Sequence, residues 1–314
     1  MAITQPSENT QVTAKALVQT RRHVRLFNLA GIKKATSAIS GMHDSRFRGR
    51  GMDYQESRVY QAGDDIRNMD WRVTARTGHA HTKLFQEERE RPIYLLIDCN
   101  PSMRFATRRQ FKSVVAAQVA ATLGWSAIQQ GDRVGVMTYG CGGIDILKAT
   151  AGKKGMMSVI QQLIKADQNS EGETTLDAAL KQLRSVLRPG SLVIIVSDFM
   201  LLGEQCKKHL VQLRKHNDVI AVHVSDPFEQ QLPPAALFGL YQDERHKILN
   251  TGHAKVRARI EQQLQNHRQQ VIKTILHSGV PVLPVSTAED WLQQLKHGIA
   301  KPQQAGQQLL KDQA

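Results

Sequence analysis

From Ile93 onward the chain alternates between short runs that are apolar throughout and longer stretches that are apolar on one face. "IYLLID", "SLVIIVSD" and "DVIAVHVSD" are of the first kind, as expected of strands covered on both faces. "RRQFKSVVAAQVAATLGWSAIQQ", "GMMSVIQQLIKAD", "TLDAALKQLRSVLR" and "GEQCKKHLVQLRKH" read as helices. "DRVGVMTYG" adds a strand, "GIDILKA" an edge strand and "LFGLYQDERHKILNT" a hairpin. A long helix over 254–278, the strand "VPVLPVS" and the helix "AEDWLQQLKHGIA" complete the pattern. Strands alternating with helices predict an α/β fold: a mostly parallel sheet with helices on both faces.

The region before Ile93 is different. Residues 1–14 are polar and are expected to be loose. Residues 15–40 read as a helix with one basic face. Such a helix can lie on a membrane surface or pack its apolar side on its own domain. The stretch that follows is dense in Gly, Arg and Asp, with short strands such as "HTKLFQE". The expected organisation is a flexible 1–14, a smaller segment at 15–91, a core domain at 92–300 and a polar tail at 301–314.

Charge and cysteines narrow the setting. The formal net charge of +14 favours acidic proteins, nucleic acid or anionic lipid as partners. Cys99, Cys141 and Cys206 are too few and scattered for a disulfide framework, which suits a reducing, cytoplasmic setting. The first residues lack the apolar core of a signal peptide, and no apolar run reaches the roughly 20 residues of a membrane span.

The candidate chemistry lies where strands end. In open α/β sheets, ligands bind beyond the carboxyl ends of the strands. Asp98 follows "IYLLI" and Asp198 follows "LVIIVS"; Asn100 and Ser102 come just after Asp98, and Thr174 starts a helix in "GETTLDAAL". Converging, these oxygens suit a partly hydrated Mg²⁺ that can accept a carboxylate from a partner. The alternatives are local. Asp98 can cap a turn closed by Pro101, Thr174 can be a helix N-cap with Asp177 three residues on, and Asp198 can cap the next helix.

The order "DCNPSM", "GDRVGVMTYG", "GETTLDAAL", "LVIIVSDF" resembles a von Willebrand factor A domain, which implies a Rossmann-like sheet. That resemblance implies a metal-ion-dependent adhesion site of an Asp-x-Ser-x-Ser loop, a threonine and a second aspartate: Asp98, Asn100, Ser102, Thr174 and Asp198. Asn100 departs from the pattern, which has serine there. Upstream, "GRGMDYQESRVYQAGDDIRNMDWRVTARTG" resembles the signature of the domain of unknown function 58 family, which joins such a segment to a von Willebrand A core. Its residues here are Arg58, Tyr60, Gly63, Asp64, Asp65, Arg67, Asp70, Trp71 and Arg76. Their alternating charges can pair as an internal clasp, and Trp71 can stack on Arg67 or Arg72. Members of this family commonly accompany AAA+ ATPases of the MoxR type. The resemblance therefore implies an adaptor or assembly factor for such an ATPase and its client.

Other functions fit less well. A Mg²⁺-dependent phosphatase of the haloacid dehalogenase class needs an acid two residues after its aspartate, where Asn100 stands. No P-loop and no G-x-S-x-G elbow occurs. His79 and His81 alternate as on one strand face, with nothing nearby to complete a metal site. A basic nucleic-acid-binding protein is the retained alternative. It would use Arg21, Arg22 and Arg25, then Arg46, Arg48 and Arg50, then Arg104, Arg108 and Arg109, without a recognised binding module. The expectation is a non-enzymatic, Mg²⁺-assisted protein-interaction module, with peripheral membrane contact open and no specific nucleic acid.

Overall fold

The computed structural model describes residues 9–27, 52–61, 64–87, 91–232, 237–242, 245–302 and 305–306. The chain forms two compact units, Met42–Glu90 and the remainder, Met1–Gly41 with Arg91–Ala314.

The larger unit is built on a six-stranded sheet. Its strands are β3 (Pro92–Cys99), β4 (Arg133–Gly140), β5 (Gly143–Thr150), β6 (Leu192–Ser197), β7 (Asp218–Ser225) and β10 (Val282–Ser286). They lie in the order β10-β7-β6-β3-β4-β5. Every neighbouring pair is parallel except β4 and β5, a hairpin at one edge. The continuous apolar runs become the central strands: β3, β4, β6 and β7 are buried along almost their whole length. From β3 the chain steps first to β4 on one side and later to β6 on the other. The carboxyl end of β3 is therefore a topological switch point, where a crevice opens in such sheets.

Helices cover both faces. On one face lie α1 (Ala14–Gln19), α3 (Lys112–Gln129), α4 (Gly152–Gln168) and α8 (Trp291–Ala300). On the other lie α5 (Leu176–Val186), α6 (Cys206–Arg214) and α7 (Ala254–His277). α3 is buried at Lys112 and at every position from Val114 to Ala127, because α1 and the following turns cover the side turned away from the sheet. The predicted hairpin is present as β8 (Leu237–Gln242) and β9 (Arg245–Asn250).

The N-terminal residues belong to this unit rather than to the segment that follows them. The helix foreseen over 15–40 runs as α1 and continues as 3₁₀ turns to Leu26, and Phe27 is extended. Residues 28–40 lie outside the described set. Trp125 donates from Nε1 to the Leu17 carbonyl at 3.2 Å, Ser126 donates to the Phe27 carbonyl at 3.0 Å, and Arg21 sits over the Trp125 ring. The apolar side of the basic helix thus packs on the core, with Leu17, Val24 and Phe27 buried. Further out, Val12 is buried and its N–H donates to Asp167 at 2.8 Å, so the chain is already anchored inside the first 14 residues.

The smaller unit pairs β1 (Met52–Val59) with β2 (His81–Glu87) in antiparallel register, and a short helix, α2 (Trp71–Thr77), lies between them in sequence.

Candidate functional site

The site forms at the carboxyl ends of β3, β4 and β6. Parallel pairing sets Asp98 beside Tyr139 of β4, and Ile97 beside Val196 of β6. Asp98 and the Ser197–Asp198 pair therefore leave the sheet on one edge, as the sequence implied. Asp98, Asn100 and Asp198 are all buried.

Asp98 is surrounded by donors. One carboxylate oxygen accepts the Asn100 backbone N–H at 2.9 Å and the Asn100 amide Nδ2 at 2.7 Å. The other accepts the Tyr139 hydroxyl at 3.0 Å and the Ser197 hydroxyl at 2.5 Å. Burial first, and the neighbouring Asp198 second, push the Asp98 pKa up to about 6, against the pull of these donors. Burial and the Asp98 charge raise the Tyr139 phenol as well.

Asn100 ties two loops together. Its Nδ2 also donates to the Thr174 carbonyl at 3.0 Å, and its Oδ1 accepts the Thr174 N–H at 3.0 Å. The Thr174 hydroxyl donates to the Gly140 carbonyl at 3.1 Å. The cap of α5 is not Thr174 but Thr175, whose Oγ accepts from the Ala178 N–H at 3.4 Å. Asp177 instead accepts the Gln205 N–H at 3.0 Å. The serine expected at position 100 in an adhesion site has no carboxamide. Here that carboxamide makes three contacts a serine cannot all supply.

Asp198 faces a cation from the chain itself. Lys112, the first residue of α3, is fully buried, and its Nζ lies 2.7 Å from Asp198. The same ammonium contacts Glu229. Burial alone would lower the Lys112 pKa, but Asp198 and Glu229 together raise it, so the lysine is charged. The other Asp198 oxygen accepts the Met200 N–H at 3.0 Å, closing a turn. In that turn Phe199 adopts a left-handed φ of 57°, uncommon for a bulky residue. Its N–H donates to Ser197 Oγ at 2.7 Å.

Glu229 arrives from beyond β7. Asp226 and Glu229 form a capping box around Pro227–Glu229. Asp226 also accepts the Thr107 N–H at 2.9 Å and hydroxyl at 2.7 Å, and a hydroxyl bond from Thr287. These hydroxyl donors outweigh burial and hold its carboxyl below the usual range. Thr107 lies on the β3–α3 loop, so that loop is fastened to the ends of β7 and β10. Arg104, on the same loop, donates to the Asp167 carbonyl at 2.6 Å and contacts the Asn169 carbonyl.

Four of the five foreseen residues, Asp98, Asn100, Thr174 and Asp198, are engaged as hydrogen-bonding partners at this edge. The chemistry of the donor set argues against a hydrated Mg²⁺. Such an ion takes oxygen lone pairs turned toward one point. Both Asp98 oxygens, Asn100 Oδ1 and both Asp198 oxygens already accept protein donors. Two hydroxyls are the exceptions: Ser102 Oγ is buried without a partner, and Thr174 Oγ donates to the Gly140 carbonyl but keeps its lone pairs. Among the described residues no cluster of three His, Cys, Asp or Glu side chains is arranged to hold a metal.

In the smaller unit the acidic signature residues work locally. Asp64 pairs with Arg58 at 2.6 Å and accepts the Gln61 N–H at 2.9 Å. Asp65 accepts the Arg67 N–H at 3.0 Å. Asp70 caps α2 through Val73 at 3.1 Å and accepts the Ser57 hydroxyl at 2.6 Å. The Ser57 and Val73 bonds hold the Asp70 carboxyl below its ordinary range. Arg67, Trp71 and Arg76 are exposed, and the Tyr60 N–H donates to the Ala80 carbonyl. Among the described residues the cation–π contacts are Arg21 with Trp125 and Lys112 with Phe105, so Trp71 does not stack on Arg67 or Arg72. Gly63, Arg46, Arg48 and Arg50 lie outside the described residues.

Sequence reasoning missed Lys112, Tyr139, Ser197, Asp226 and Glu229. The signal for Lys112 was available: it heads a run, 113–131, that carries no other charge. An ammonium at a helix N-terminus also opposes the helix dipole, so something other than the helix must hold it there.

Residues 56–270, well over half of the chain, match the family model described as "Protein of unknown function DUF58". The chain belongs to the DUF58 family. Similar proteins include the uncharacterized proteins Rv1480 of Mycobacterium tuberculosis and Mb1516 of Mycobacterium bovis. Each is 28% identical over 280 residues, covering 88% of this chain and 88% of the relative. Among solved structures, the conserved hypothetical protein BatB from Bacteroides thetaiotaomicron aligns over 70% of this chain and 99% of its own. It does so at 11% identity and a TM-score of 0.41. The SpRpn10 VWA domain aligns over 66% of this chain and 94% of its own, at 10% identity and a TM-score of 0.37. No helix among the described residues is long and apolar enough to cross a membrane.

Proposed function

We propose that this DUF58 protein is a non-enzymatic, cytoplasmic protein-interaction module that serves a MoxR-type AAA+ ATPase and its client. The observation that carries the reading is the state of Asp98. Its four hydrogen bonds leave the carboxylate no oxygen turned outward to attack a substrate, and Asn100 stands where a phosphatase keeps its proton-donating acid. A fixed polar edge at a switch point, with exposed Arg108 and Arg109 beside it, suits recognition of an acidic protein surface. The nucleic-acid alternative loses Arg104, whose guanidinium is spent on backbone carbonyls.

The test is capture of the tagged full chain from its native host after nuclease treatment, with bound proteins identified by mass spectrometry. Recovery of a MoxR-type ATPase, weakened several-fold by Arg108→Glu with Arg109→Glu, supports the reading. Recovery of nucleic acid alone, falling steeply with salt, overturns it.

A further inference from the structure

We infer that the carboxyl-edge site of this protein works with a built-in cation, the Lys112 ammonium, and takes no divalent metal. The inference rests on the interaction-module reading in one respect: this edge is taken as the surface that meets the partner.

Three independent features point to it. Lys112 is fully buried, and a lysine is placed so only when paired. Its partner Asp198, at 2.7 Å, is the carboxylate that an adhesion site would turn toward its metal. Glu229 is drawn in from beyond β7 by a capping box, which leaves its second oxygen for the ammonium. The remaining candidate ligands are committed as well. Asp98 accepts hydroxyl and amide donors on both oxygens, and Asn100 spends its carboxamide on Thr174 and Asp98. A divalent ion would have to expel the ammonium from Asp198 and strip donors from Asp98, gaining in exchange only the neutral hydroxyls of Ser102 and Thr174 as uncommitted ligands. The lysine also runs against its own helix, since α3 gains nothing from a positive charge in its first turn. A local rule broken at a site marks a role at that site.

The consequence is functional. A metal-bridged module binds its partner through a shared ion and releases it when the ion is chelated. Here the positive charge is covalently part of the chain. Partner binding at this edge is then independent of divalent ions, with the buried Lys112 ammonium holding Asp198 and Glu229 in place.

The experiment titrates the full chain with Mn²⁺, followed by electron paramagnetic resonance, for wild type, Asp198→Asn and Lys112→Met. Wild type and Asp198→Asn are expected to bind Mn²⁺ equally, with no site tighter than about 1 mM. A wild-type site tighter than that and lost in Asp198→Asn overturns the inference. Lys112→Met, with its acids left facing an empty position, is expected to gain at least tenfold in Mn²⁺ affinity; a folded variant without that gain also overturns it. If Lys112→Met does not fold, wild-type thermal unfolding in Mg²⁺ and in EDTA decides. Equal midpoints support the inference, and a rise in Mg²⁺ that Asp198→Asn abolishes sinks it. Capture of the ATPase in both Mg²⁺ and EDTA supports both readings. Capture in Mg²⁺ only overturns the built-in cation and keeps the module. Capture in neither overturns the module, and the Mn²⁺ arms still decide the cation.

Discussion

Acid should weaken this fold through His223, and replacing that histidine should remove the effect. His223 lies on β7, in register with Ser197 of β6 and Pro284 of β10. Its ring stacks on Phe199 with centroids 6.1 Å apart, and its Nδ1 is buried without a hydrogen-bond partner. Burial, then the Arg268 cation, lowers its pKa from 6.5 to about 3. An unfolded chain takes up this proton near pH 6.5, but the native protein does so only near pH 3. Between those values the unfolded state binds more protons, so stability falls as pH falls. The slope is about 1.4 kcal/mol per pH unit, or about 2 kcal/mol between neutral pH and roughly pH 5. Asp98 acts in the opposite sense. Its native pKa is raised from 3.8 to about 6, so the native state protonates first and gains stability as pH drops below about 6. The wild-type profile is therefore a compromise, and only a difference between proteins isolates one group. His223→Phe keeps a ring against Phe199 and removes the titration. Urea midpoints for both proteins at about pH 7, 6 and 5 give that difference. The variant should gain about 2 kcal/mol on wild type between the first and last. A difference that stays constant with pH would refute the assignment.

Other expectations concern single positions. Gly140 has φ of 128°, and a Cβ there would sit 2.4 Å from the Asn100 nitrogen and 2.5 Å from the Cys99 carbonyl carbon. Gly140→Ala should cost at least about 1–3 kcal/mol in a thermal melt; an unchanged midpoint would mean that the Asp98 loop is not held as described. Asp70→Ala should cost about 1–2 kcal/mol and speed hydrogen exchange at the α2 amides. Asp70→Asn should retain most of the protection. Leu17 is buried under α3, and Leu17→Ala should cost about 2–5 kcal/mol by denaturant titration; a loss below 0.5 kcal/mol would show that the N-terminal helix is dispensable to the core.

The architecture was legible because periodicity reports burial, and burial here is one-dimensional along each element. "HTKLFQE" is β2, "LFGLYQDERHKILNT" is the β8–β9 hairpin, and "GIDILKA" lies in the edge strand β5. The carboxyl-edge placement of Asp98 and Asp198 followed from parallel strands alone. What the site does with them was not legible in the same way. Whether Asp98 faces an ion or hydrogen-bond donors depends on Tyr139 and Ser197, which reach it across strand neighbours that a linear reading does not pair. Lys112 and Glu229 reach the site through loops whose paths no local pattern specifies. The N-terminal helix foreseen over 15–40 is interrupted within the described residues: the chain turns to extended backbone at Phe27, where Ser126 donates to its carbonyl, and 28–40 lie outside the described set.

The span of the Lys112 contacts along the chain bears on how the protein is made. Asp198 lies 86 residues downstream of the lysine and Glu229 lies 117 downstream. A chain emerging from the ribosome can pair β3 with β4 and lay α3 against them long before either acid exists. Until both arrive, α3 would have to seal an ammonium away from water with nothing to balance it. The half-made sheet is therefore expected to leave the Lys112 end of α3 open to water. Full burial of the Lys112 end of α3 is expected to wait for β6 and the turn after β7, which makes those later elements a checkpoint for the earlier ones.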